Sequence, residues 1–151
     1  MKAKELMTTN PACCTPETNL QQVAQFMVEE DCGCIPVVEH LDNLRPVGII
    51  TDRDICCRTV ARGKNPLEME AGQAMSSPVI SVTPETSVEE CCRLMEEERI
   101  RRLVVVDKNG SCCGVIAQAD VARNMSKQQA GEVVKEVSQP TDMVAPEGVF
   151  A

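Results

Sequence analysis

Gly48-Ile49-Ile50-Thr51-Asp52-Arg53-Asp54-Ile55 returns 66 positions later as Gly114-Val115-Ile116-Ala117-Gln118-Ala119-Asp120-Val121. In each, an apolar run too short for a helix meets a polar stretch that opens one, so a buried strand leads straight into a helix. Upstream of each, Thr15-Pro16-Glu17-Thr18-Asn19-Leu20 recurs 68 positions on as Thr83-Pro84-Glu85-Thr86-Ser87-Val88. Ile35-Pro36-Val37-Val38 falls on Leu103-Val104-Val105-Val106 at the same spacing. The two spacings differ by two because the first copy has two extra residues between Glu39 and Val47. Leu6-Met7-Thr8 and Ala74-Met75-Ser76 are similar leads to the two copies. The chain is an internal repeat.

Each copy reads as a βαββα unit. A short strand (Ala12-Cys13-Cys14; Val79 to Val82) runs into Thr-Pro-Glu-Thr, where Thr18 and Thr86 are candidate helix caps. The first helix has an apolar face at Leu20, Val23, Ala24 and Met27, repeated by Val88, Cys91, Cys92 and Met95. Two apolar runs follow as a hairpin: Ile35 to Val38 with Val47 to Ile50, and Leu103 to Val106 with Cys112 to Ile116. Asn109-Gly110 suits a tight turn in the second hairpin. A second helix closes each copy, from Asp52 to about Ala61 and from Ala119 to about Met125, and Arg62-Gly63-Lys64-Asn65-Pro66 ends the first of these. A copy of about 65 residues buries little core alone, so the two are expected to pack sheet to sheet. The expected fold class is α+β. Its divisions are 1–70, 71–138 and an extended or disordered tail, 139–151.

Composition narrows the function. The net charge is −8, with no Trp or Tyr and only two Phe. That disfavours phosphate-backbone binding and base stacking, so no nucleic-acid partner is expected. No apolar run spans a bilayer and the start lacks a secretory h-region, which points to a cytoplasmic protein without membrane insertion. Eight of the ten cysteines form adjacent pairs, Cys13-Cys14, Cys56-Cys57, Cys91-Cys92 and Cys112-Cys113, and read as small buried thiols. The single His40 has no catalytic partner at a readable spacing, and neither a nucleophile triad nor a phosphate-loop lysine is present. An enzyme is not expected.

The paired octapeptides, the Pro36-Val37-Val38 and Val104-Val105-Val106 strands, and the Met7-Thr8 and Met75-Ser76 leads resemble the tandem cystathionine-β-synthase (CBS) domain pair. The resemblance covers Met1 to about Val137. It implies a pseudo-two-fold regulatory module with two ligand sites in an inter-sheet cleft, binding AMP, ADP, ATP or S-adenosylmethionine and needing no cofactor. It also implies a homodimer formed by helix faces and, as partner, a regulated enzyme or transporter. Thr51, at the helix start, would offer a hydroxyl and nearby amides to a phosphate, and Asp54 would accept from the ribose hydroxyls. The same pair also fits a plain capping box. In the second copy Ala117 replaces the hydroxyl residue while Asp120 remains, and Arg102 is the candidate phosphate cation. The resemblance further places the base for Thr51/Asp54 near Val79 and Ile80 and that for Asp120 near Ala12 and Cys13, with Ile49 and Val115 as apolar walls. On this reading the Thr51/Asp54 site is the tighter, and the Asp120 site is weak or depends on Arg102.

Two rivals come from other classes. Cys32-Gly33-Cys34 with Cys13 and Cys14 could gather thiolates for a redox or metal sensor, although the one-residue spacing is shorter than zinc sites ordinarily use. An empty, purely structural adaptor is the other.

Overall fold

The repeat is visible element by element in the computed structural model, which describes residues 1–140. In chain order the elements are α1 (Ala3–Leu6), β1 (Thr8–Thr9), α2 (Leu20–Glu29), β2 (Cys34–Val38), β3 (Pro46–Thr51) and α3 (Asp52–Arg58). Three 3-10 turns, Val60–Arg62, Pro66–Glu68 and Ala71–Gln73, lead on to β4 (Ser81–Val82), α4 (Val88–Glu98), β5 (Arg102–Val106), β6 (Cys112–Ala117), α5 (Gln118–Asn124) and α6 (Lys127–Val137). Residues 141–151, nearly all of the expected tail, lie outside the described residues.

The chain forms two units. The first-copy unit comprises Pro11–Val79 and Gly110–Cys112; the second-copy unit comprises Met1–Asn10, Ile80–Asn109 and 113–140. In the first-copy unit β2 and β3 form the antiparallel hairpin, with Cys34 opposite Thr51 and Val37 opposite Gly48. All five residues of β2 are buried, which accounts for its unbroken apolar run. A parallel bridge, Cys14 to Val37, and an antiparallel one, Ile49 to Ser76, flank the hairpin. The second-copy unit repeats this as a four-stranded sheet in the order β1-β6-β5-β4. There Ser81 and Val82 run parallel to Val104 and Val105, and Thr8 and Thr9 lie antiparallel to Val115 and Gly114.

These pairings exchange the two leads. Ala3 and Leu6 are buried in the core of the second-copy unit with Val88, Cys91, Met95 and Ile116. Ala3 N donates to Thr86 O at 2.8 Å, and Val88 N donates to Met1 O at 3.0 Å. Lys2 and Lys4 Nζ reach the Glu85 carboxylate at 2.5 and 2.8 Å. Ala71 and Ala74, the repeat equivalents of Ala3 and Leu6, are buried with Leu20, Val23 and Ile50 in the first-copy unit. Ala71 N donates to Thr18 O at 2.8 Å, and Leu20 N donates to Met69 O at 2.9 Å. Each copy's lead therefore completes the unit built by the other copy's body.

Local chemistry sets the ends of the elements. The caps of α2 and α4 are Asn19 and Ser87, not Thr18 and Thr86: Asn19 Oδ1 accepts from Gln22 N at 2.9 Å and Ser87 Oγ from Glu90 N at 3.1 Å. Thr18 and Thr86 Oγ1 instead accept from Thr15 N and Thr83 N, both at 3.0 Å, and so fasten the Thr-Pro-Glu-Thr turns. The expected opening strands shorten to a bridge at Cys14 and to β4, since Pro11 and Pro78 have no amide to extend pairing. Helix α3 ends at Arg58 and passes into the 3-10 turn that Gly63 closes at φ 71°.

Helix α6 lies beyond the expected elements. Ser126 Oγ caps it, accepting from Gln129 N at 3.2 Å, and its Val133 and Val137 are buried in the second-copy core. It packs on α4 and α5. Among the described residues no helix is long and apolar enough to cross a membrane.

Candidate functional site

The motif glycines allow the leads to approach the hairpins. A Cβ at Gly48 would lie 2.6 Å from Met75 Sδ and 3.0 Å from Ser76 O; at Gly114 it would fall on the Met7 sulfur and lie 3.1 Å from Thr8 O. Beside Gly48 the lead is fixed by backbone bonds, Ile49 N to Ser76 O at 3.0 Å and Ser76 N to Ile49 O at 2.8 Å. The glycine and the methionine of each motif are thus two halves of one contact. This close approach brings Ser76 over the strand-to-helix turn of the first copy.

In that turn Thr51 and Asp54 are both fully buried. Thr51 N donates to Asp54 Oδ2, and Asp54 N donates to Thr51 Oγ1, each at 3.0 Å, so the capping box is formed. Ser76 Oγ donates to both carboxylate oxygens at 3.2 Å. The buried Arg58 guanidinium lies 3.7 Å from Asp54 Oδ1 and donates to Met75 O at 2.7 Å. Burial pushes the Asp54 carboxyl above the ordinary aspartate range, against the opposing pull of Thr51, Arg58 and Ser76. The first amides of α3 are not open to a phosphate as the sequence suggested. Asp52 N donates to Gly33 O at 3.0 Å, Arg53 N to Asp52 Oδ1 at 2.8 Å, and Asp54 N to Thr51. The amides of Thr51, Asp52, Arg53 and Asp54 are therefore all engaged within the unit.

The second-copy turn keeps the backbone plan and loses part of the closure. Gln118 N donates to Arg101 O at 2.8 Å, matching the bond from Asp52 to Gly33. Ala117 N donates to Asp120 Oδ2 at 2.8 Å, but Ala117 has no oxygen to return to the Asp120 amide. Arg58 is replaced here by Asn124, whose side chain donates to Asp120 O at 2.8 Å. The cation on Asp120, itself 6% exposed, is Arg123, 2.5 Å from Oδ1 and 67% exposed. The bond from Arg101 sets Arg102, half-buried at the start of β5, one residue from the opening of α5. Restoring the cap should stabilise the unit: Ala117→Ser is expected to raise unfolding free energy by about 0.5–1 kcal/mol in urea titrations. Loss of stability in that variant would contradict this geometry.

The remaining expected site residues divide between the units. Ile49 is buried, and Ala12, Cys13 and Val79 half-buried, in the first-copy unit; Val115 is buried and Ile80 half-buried in the second. Sequence reading missed three residues. Arg58 and Arg123 stand four and three positions after their aspartates, a spacing that could have signalled them. Ser76 is 22 positions from Asp54 and had no such signal.

All ten cysteines are thiols. Cys91 and Cys92 are buried on α4, and burial pushes Cys91 up to about 11 and Cys14 up to about 12. Cys13 moves the other way, lowered because the Cys112 thiol donates a hydrogen bond to it. Among the described residues no group of three or more His, Cys, Asp or Glu is placed to hold a metal ion.

Comparison with known proteins agrees with the repeat. The family model described as CBS domain matches residues 3–58 and 71–127. The CBS domain-containing protein YhcV of Bacillus subtilis is 38% identical over 136 residues, covering 89% of this chain and 94% of that protein. The crystal structure of Hypoxic Response Protein I with two coordinated zinc ions is similar at 30% identity and TM-score 0.73, over 83% of this chain and all of the other. The crystal structure of CBSX2 in complex with AMP, a protein of Arabidopsis thaliana, is similar at 26% identity and TM-score 0.68, over 81% of this chain and 93% of that one.

Proposed function

The chain belongs to the CBS-domain family, and we propose that it is a non-catalytic regulatory module whose ligand is an adenine nucleotide or S-adenosylmethionine, taken at the turn that carries Asp120. One observation carries the choice of turn. Both copies present a buried aspartate at the start of a helix, but the partners of Asp54 are the buried Ser76 and Arg58, whereas the cation on Asp120 is Arg123, which is 67% exposed. A carboxylate there can exchange its ion pair for the two hydroxyls of a ribose. Arg102 and Arg123 supply positive charge for phosphate, and Val115 supplies an apolar wall. The AMP complex of CBSX2 supports this ligand class. Thr51 and Asp54 then act as a latch that holds the first-copy unit together, which reverses the order of strengths expected from the sequence. The proposal includes a cytosolic homodimer that conveys ligand occupancy to an enzyme or transporter.

Calorimetry with AMP and adenosine on the wild type, Asp120→Asn and Arg102→Ala tests it. A hydrogen bond to a charged group is worth about 1.5–3 kcal/mol, so Asp120→Asn should weaken both ligands about tenfold or more. Arg102→Ala should weaken AMP more than adenosine, because only AMP has a phosphate. Unchanged affinity in Asp120→Asn would remove this turn from the site.

A further inference from the structure

We propose that Cys13 and Cys112 are a redox pair that closes into a reversible intrachain disulfide. Their meeting depends on the hairpin of one copy reaching the other copy's loop. Ser111 Oγ donates to Asn43 O at 2.6 Å and Cys112 N to Leu44 O at 2.7 Å, which anchors the start of β6 in the first-copy unit. The Cys112 thiol then donates to the sulfur of Cys13, whose own thiol reaches Pro11 O at 3.3 Å. Cys13 lies on irregular backbone between Pro11 and the bridge at Cys14, where a sulfur can close to bonding distance without breaking a sheet ladder. Neither adjacent cysteine competes. Cys14 is 1% exposed in the first-copy core, and Cys113 turns its thiol towards Val105 O at 3.5 Å. The repeat equivalents of the pair are Ser81 and Pro46, so only one such contact is encoded.

Exposure assigns the roles. Cys13 is half-exposed and Cys112 only 4% exposed, so a small disulfide oxidant meets Cys13 first. With glutathione disulfide, the Cys13 thiolate attacks one sulfur and expels one glutathione thiolate. The Cys112 thiolate then attacks Cys13 Sγ and expels the second. Two protein thiols are oxidised, one glutathione disulfide is reduced to two thiols, and each proton lost by a cysteine ends on glutathione.

The full chain, Cys13→Ser, Cys112→Ser and the double variant Cys14→Ser/Cys113→Ser would be incubated with glutathione disulfide and mapped by mass spectrometry without reduction. The wild type and the Cys14→Ser/Cys113→Ser variant should lose two hydrogens and yield a linked pair of peptides holding positions 13 and 112. Cys13→Ser and Cys112→Ser should not form that link. The oxidised wild type should melt about 5 °C or more above the reduced form, as expected when a long loop is closed. A stable glutathione adduct on Cys13 without an internal bond would overturn the proposal. So would loss of the link in Cys14→Ser/Cys113→Ser, or a link in the wild type that joins other cysteines.

Discussion

Asp54→Ala should destabilise the protein by about 3–5 kcal/mol, because it leaves the Arg58 guanidinium buried without its carboxylate. Arg58 is 5% exposed and Asp54 is fully buried, so water cannot replace the lost partner unless the turn opens. The same substitution removes the acceptor for Thr51 N and for Ser76 Oγ. In thermal melts the fall should be about 10 °C for a chain of this size. Replacing both ions, as Asp54→Ala with Arg58→Leu, should recover much of the loss, since burying two charges is itself costly. The raised pKa of Asp54 carries the same sign. The folded state binds this proton more tightly than the unfolded chain, so the contribution of Asp54 to stability falls as pH rises from the ordinary aspartate range through its raised value. Denaturant titrations of the single and double variants measure these effects. A loss below about 1 kcal/mol in Asp54→Ala would show that the buried pair does not form.

Leu6→Ala should cost about 2–5 kcal/mol, the range for truncating a buried leucine. The location of the damage is more informative than its size. Leu6 is 5% exposed and packs in the second-copy core, although in sequence it precedes the first copy. Hydrogen exchange should therefore accelerate in α4, β5 and β6, while α2, β2 and β3 keep their protection. The Glu85 clamp on Lys2 and Lys4 should persist well into acid, because the two ammonium groups hold that carboxyl at about 2. Its contribution is present above the ordinary glutamate range and is lost as pH falls towards that value. Accelerated exchange confined to α2, β2 and β3 would mean that each lead stays with its own copy.

Much of this fold could be read from the repeat. Gly48 and Gly114 recur in register with Met7 and Met75 in the sequence, but that each glycine makes room for the other copy's methionine emerges only in the fold. The helix faces of Leu20, Val23 and Met27, and of Val88, Cys91, Cys92 and Met95, are buried as their periodicity required. The exchange of leads was not legible for a physical reason. Thr8 and Ser76 occupy equivalent repeat positions, so either could make the same backbone bonds to Ile49 or Val115. Helix α6 was obscured by Gly131 and a polar surface, with only Val133 and Val137 buried on it. At the candidate site, the capping box of Thr51 and Asp54 was foreseeable from spacing. Its closure was not, because that depends on Ser76 arriving from the other lead and on Arg58 turning inward rather than into solvent.

Calorimetric titration of the full chain with AMP, ADP, ATP and S-adenosylmethionine, paired with thermal melts at saturating ligand, decides whether it takes an adenosine ligand at the Asp120 turn. Binding to the native state alone must raise the melting temperature. Saturable binding of at least one of these ligands is expected, with a matching rise in melting temperature and an affinity about tenfold or more weaker when Asp120 is replaced by asparagine. A folded chain that gives neither binding heat nor a thermal shift with any of the four would contradict that expectation.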